Sequence, residues 1–135
     1  MDFLKSIAIA ASGLRAQAGR MRVISENIAN ADSTAPNPGA EPYRRKIPTF
    51  QTEVDKMLDA PLVKLGRLRT DQSEFRLKQA PGHPAADDNG NVKYPNFNTL
   101  VEMMDMREAQ RSYEANLSAI RTARTMVQGT IDILR

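Results

Sequence analysis

The sequence predicts a mainly α chain with a small β-rich middle, in which long N- and C-terminal helices of coiled-coil type flank a short β or irregular domain. Apolar residues recur at heptad spacing at both ends, and the residues between lose that period and fill with proline, glycine and turn formers. No chemical motif interrupts the pattern, which argues for assembly, not catalysis. The expected division is an N-terminal helix over 1–31, a middle domain over 32–98 and a C-terminal helix over 99–135.

At the N-terminus the 3-4 spacing runs Leu4, Ile7, Ala11, Leu14, Ala18, Met21, Ser25, Ile28, broken only by Ser25. At the C-terminus it runs Met103, Met106, Gln110, Tyr113, Leu117, Ile120, Arg124, Val127, Ile131, Leu134, with Gln110 and Arg124 as interruptions. Two positions per heptad are too narrow a stripe for a globular core and suit a coiled-coil seam. These residues are therefore the candidate assembly surface. An intramolecular helical hairpin is the alternative.

The N-terminal helix is expected over residues 3 to 30, about 42 Å long, with Asp2 as N-cap. Gly13 and Gly19 each weaken it by about 1 kcal/mol against alanine, and with the alanines around them leave a surface on which another helix can approach closely. Asn30 to Gly39 carries the turn formers and prolines that end it. In the middle, Tyr43, Arg45 and Ile47 alternate, as do Val63 with Leu65 and Phe75 with Leu77, the period of half-exposed strands. Asn89-Gly90 suggests a type I′ hairpin with Val92 and Tyr94 on the returning strand. Thr99 and Glu102 have capping-box spacing, and helix is expected from there to the C-terminus, about 54 Å.

With 135 residues, 41% hydrophobic and 5% aromatic, there is room for one modest core. The 19 basic and 16 acidic side chains are interspersed, so a net charge of +3 permits nucleic-acid binding without indicating it. The absence of cysteine excludes disulfides and thiolate zinc sites. No run approaches the roughly 20 apolar residues of a membrane span. The early run Ile7 to Ala11 is too short for a cleavable secretory signal and continues into the heptads.

The single histidine, His83 in Pro-Gly-His-Pro, shapes a turn more readily than it binds metal, since acid-base work needs a placed partner. Around Gly90 a calcium loop would put Ala85 and Asn96 where carboxylates are required. Tyr43-Arg44-Arg45-Lys46 is a basic cluster beside an aromatic, a weak nucleic-acid signal whose simpler reading is a strand end or protein contact. No enzyme activity, cofactor, metal or small-molecule substrate is expected.

Particular residues carry a resemblance. Leu14 through Asn27-Ile28-Ala29-Asn30-Ala31, then Pro42 to Lys46, His83-Pro84, Asn89-Gly90, Tyr94-Pro95-Asn96, Asn98 to Met103 and Arg111 to Asn116 are similar to the flagellar axial proteins. The Asn27 to Ala31 stretch resembles rod, hook and hook-associated proteins alike, and the later runs resemble the proximal rod type. The resemblance implies a subunit stacked helically with itself and other rod proteins, its terminal helices lining the core of a tube joined to the inner-membrane ring. It also implies export by the flagellar type III apparatus at the rod base, without a Sec signal. An early-substrate Phe-x-x-x-apolar export element would fall on Phe50 to Val54, although Phe3 to Ile7 and Phe97 to Val101 fit the same pattern. A basic coiled-coil adaptor for nucleic acid is the runner-up, and a helical secretion chaperone comes third.

Overall fold

The computed structural model describes residues 2–135. Helix α1 spans Phe3–Ala29. Asp2 caps it as expected, its carboxylate accepting from the backbone N–H of Leu4 and Lys5 at 3.1 and 3.3 Å. Asn30 ends it: its N–H points back to the Glu26 and Asn27 carbonyls, and its side-chain amide donates to Glu26 O at 2.8 Å.

The middle is three separate two-stranded antiparallel ribbons. β1 (Lys46–Ile47) pairs with β4 (Arg69–Thr70), β2 (Phe50–Asp55) with β3 (Ala60–Leu65), and β5 (Arg76–Gln79) with β6 (Asn91–Tyr94). β2 was not anticipated. Its turn is built by Asp55, whose carboxylate accepts from Met57 N and Leu58 N, and by Asp59 at a φ of 45°. The expected return strand Val92 to Tyr94 is present, but Asn89-Gly90 is not a two-residue hairpin. Gly90 alone takes a positive φ, and residues 80–90 separate the strands, folded by Asp87, which accepts from Asn89 N and Asn91 N. His83 does shape a turn in this loop, its Nδ1 accepting from Ala85 N at 3.0 Å.

Helix α2 runs Thr99–Ile133. Its cap is Asn98, not Thr99: the Asn98 carboxamide accepts from Leu100 N at 2.9 Å. That offset of one residue puts Glu102 past the position from which a capping box closes, and its side chain turns inward instead.

α1 packs chiefly on α2 along one side and on β3 along another, so the terminal helices pair within one subunit, as in the hairpin alternative. The residues that permit this are small. Ala10, Ala16, Ala109 and Ala123 are buried, and Val23 and Ile24 supply the bulk. A Cβ on Gly13 would stand 2.8 Å from the Asn116 side chain, and one on Gly19 3.0 Å from Leu65 Cδ2. Ser12 fastens the β2–β3 ribbon to α1, its hydroxyl accepting from Val63 N at 3.0 Å while donating to Ile9 O at 2.7 Å. No helix among the described residues is long and apolar enough to cross a membrane.

Candidate assembly interface

The densest polar constellation joins the C-terminal end of α1, the N-terminal end of α2 and the segment entering β1. Asn27 is fully buried at its centre. Its Nδ2 donates to Lys46 O at 2.8 Å and Glu102 Oε2 at 3.0 Å, and its Oδ1 accepts from Lys46 N at 2.9 Å and the Tyr43 hydroxyl at 2.7 Å. Every donor and acceptor of the carboxamide is thus used. The Arg45 guanidinium donates to the other oxygen of buried Glu102, and the Lys46 ammonium pairs with Glu26. Burial first, then the Glu26 and Glu102 carboxylates, push the Tyr43 hydroxyl up to about 12, so it remains a donor at any physiological pH. The Tyr43 and Arg45 alternation is real in direction, both reaching the helix pair, although only Lys46–Ile47 is strand.

This clamp also answers the nucleic-acid signal. Arg44 stacks on Phe75 at 4.1 Å, bonds Glu41 and donates to the Asp71 and Ser73 carbonyls; Arg45 and Lys46 are paired as described. Each cation of the cluster has an internal acceptor, so the cluster makes no free phosphate-binding patch.

The predicted stripes sit on the shoulder of the helix pair. On α1, Ile7, Ala11, Leu14, Met21 and Ile28 are half-buried, whereas Leu4 and Ala18 are exposed; the buried face is Ser12, Ala16, Gly19, Val23 and Asn27. On α2 half of the stripe is in place: Met106, Tyr113, Ile120 and Val127 alternate along the seam with Glu102, Ala109, Asn116 and Ala123, giving a 4-3 repeat. Leu117 is half-buried one position off that seam, and Met103, Ile131 and Leu134 are exposed. Of the Asn27 to Ala31 motif, Asn27 and Ala31 are buried, Ile28 and Asn30 half-buried, and Ala29 exposed. Phe50 and Val54 lie on exposed β2.

Large apolar side chains remain uncovered at both ends of the helical hairpin. Leu4, Met126, Ile131, Ile133 and Leu134 mark one end, and Leu100, Val101, Met103 and Met104 the other. Such patches on a small chain mark contact surfaces.

A fold of paired terminal helices with uncovered ends and a small β-ribbon middle is that of an assembling axial subunit. A family model described as flagella basal body rod protein matches residues 7–35, and one described as flagellar basal body rod FlgEFG protein C-terminal matches residues 88–133. Proteins called flagellar basal-body rod protein FlgC are similar along the whole chain. That of Agrobacterium fabrum is 54% identical, covering 100% of this chain and 98% of its own. The Salmonella typhimurium protein is 37% identical over 98% of both chains, and the Bacillus subtilis protein 34% identical over 98% of this chain and 99% of its own. The chain belongs to the FlgC family of flagellar basal-body rod proteins. It is a structural subunit of the rod, not an enzyme, and assembles with other rod components.

Proposed function

We propose that the chain is a torque-transmitting subunit of the proximal rod, stacked with itself and other rod proteins by non-closing contacts. The observation that supports this best is the pair of apolar surfaces at opposite ends of one helical hairpin. A subunit whose contacts do not close by rotation builds a helical filament, and interlocked long helices resist twist. On this reading residues 1–31 and 99–135 form the rod core, the exposed members of the two stripes, Leu4 and Ala18 on α1 and Met103, Ile131 and Leu134 on α2, supply subunit contacts, and 32–98 lie outside them. The base of the stack meets the inner-membrane ring and the export apparatus, and the chain crosses into the periplasm by type III export.

Disrupting the gene should abolish swimming and leave basal bodies without a complete rod, restored by the intact gene; normal rods in the disrupted strain would overturn the reading. Export is tested separately at Phe50, which is exposed on β2. Phe50→Ala should lower secretion with unchanged intracellular levels, measured by immunoblot of supernatant and cells. Unchanged secretion moves the element away from Phe50 to Val54.

A further inference from the structure

The three ribbons of the middle protect their edges unequally. β1 and β4 are two residues long, and β5 and β6 carry Arg76, Lys78 and Lys93; short length and edge cations both discourage pairing with another chain. β2 has neither. It is six residues long, holds no cation or proline, and packs on β3 without comparable contact to any other element. One bond gives the phase of its ladder: Gly66 N–H donates to Thr49 O at 2.6 Å. Bonded and non-bonded pairs alternate in an antiparallel ladder, so Gln51–Lys64, Glu53–Leu62 and Asp55–Ala60 are the bonded pairs. The backbone N–H and C=O groups of Phe50, Thr52 and Val54 then point away from β3, and among the described residues nothing bonds them. The opposite edge of the ribbon keeps the same phase and is closed. There the Ser12 hydroxyl accepts from Val63 N, and Pro61 has no N–H to offer.

The open edge is also apolar. Phe50, Val54 and Val63 share one face of the ribbon and are 43%, 60% and 37% exposed. The other face carries Glu53, held by Lys64 at 2.8 Å. A second copy of β2 suits this edge when it runs antiparallel and centred on Thr52. Phe50 then faces Val54 of the second copy, an aromatic beside a β-branched residue, and Gln51 faces Glu53, so no like charges meet. The neighbouring registers are worse. A shift one way sets Glu53 against Glu53, as in-register parallel pairing also does, and a shift the other way brings Pro48, which cannot donate, opposite Val54.

We propose that β2 pairs with β2 of a second copy across a two-fold axis at Thr52, joining two ribbons into one four-stranded antiparallel sheet. The contact is closed, so it gives a dimer of the free subunit that cannot propagate. It is separate from the rod contacts, and it covers Phe50 and Val54. The purified full chain should show a monomer–dimer equilibrium in sedimentation; a wild type that stays monomeric throughout its soluble range overturns the proposal. Thr52→Glu and Thr52→Lys should each weaken dimerisation by roughly tenfold or more, because like charges then face each other across the axis, while circular dichroism stays that of the wild type. Mixing the two variants should restore the dimer. A mixture that remains monomeric, or association unaltered in either variant, overturns the pairing. The chain has no cysteine, so Thr52→Cys treated with a short bismaleimide should give dimers. Met57→Cys, at the exposed tip of the ribbon, would lie about 33 Å from its counterpart at about 3.3 Å per residue and should not crosslink. Equal crosslinking of both variants would show association without this register and overturn the proposal.

Discussion

The two ends of the helical hairpin are built on opposite principles. At the clamp end, Asn27, Glu102, Arg45, Tyr43 and the Lys46 backbone satisfy one another in a buried network. At the other end, where α2 runs on past the start of α1, Ile131, Ile133 and Leu134 stand in solvent with no polar partner to fix them. A buried polar network tolerates one arrangement, because any slip leaves a desolvated group unpaired. An apolar surface accepts whatever shape covers it. The clamp therefore sets the register of α1 on α2, and that register leaves the far end of α2 available to another subunit.

The difference can be broken from the clamp side first. Glu102→Ala leaves the Arg45 guanidinium and the Asn27 amide without their carboxylate. Loss of one partner from a buried ion pair costs about 3 to 5 kcal/mol, and since Arg45 keeps a quarter of its side chain exposed the expected loss is about 3, read from urea midpoints at unchanged slope. A loss under about 1 kcal/mol, the scale of an exposed pair, would show that the clamp is ornamental to the register.

Gly19→Val strikes the close approach between α1 and β3. Its Cβ would already press on Leu65, and overpacking of this kind costs about 1 to 3 kcal/mol. Thermal denaturation reads it, and restoration by Leu65→Ala in the same chain would locate the clash.

Tyr43→Phe removes one hydrogen bond to Asn27, about 1 kcal/mol at neutral pH. Because burial raises the hydroxyl from 10.0 to about 12, its stabilising share is complete below pH 10 and disappears as pH climbs through about 12. The gap between wild type and variant should hold constant up to pH 10 and close above it. A gap that widens with alkali would contradict the neutral donor.

The smallest expected change in monomer stability is at the far end of α2. Ile131→Asp with Leu134→Asp should stay within about 0.5 kcal/mol of the wild type, the range of surface substitutions, although assembly is lost. The middle of α2 cannot be used this way. Ile120 lies on the intramolecular seam and Leu117 is half-buried beside it, so Leu117→Asp with Ile120→Asp would unfold the hairpin and confuse folding with assembly.

Periodicity, caps and breakers are local, and local signals were sufficient for the two helices, the Asp2 cap, the His83 turn and the return strand β6. The family was legible too, through Asn27 to Ala31 and the start of α2. The seam was legible only in part. Met106, Tyr113, Ile120 and Val127 announce themselves by hydrophobicity, but the positions between them are Glu102, Ala109, Asn116 and Ala123, and the α1 face is Ser12, Ala16, Gly19 and Asn27. Small and polar residues carry no apolar signal, yet small ones let backbones meet, and a polar one buried with its partners fixes which turn meets which. Whether Glu102 closes a capping box or receives Arg45 from 57 residues away, and whether α1 finds α2 of its own chain, depends on groups distant in sequence. Only the tertiary structure decides such matters, because the energy of a buried polar group is set by whichever partner is folded against it.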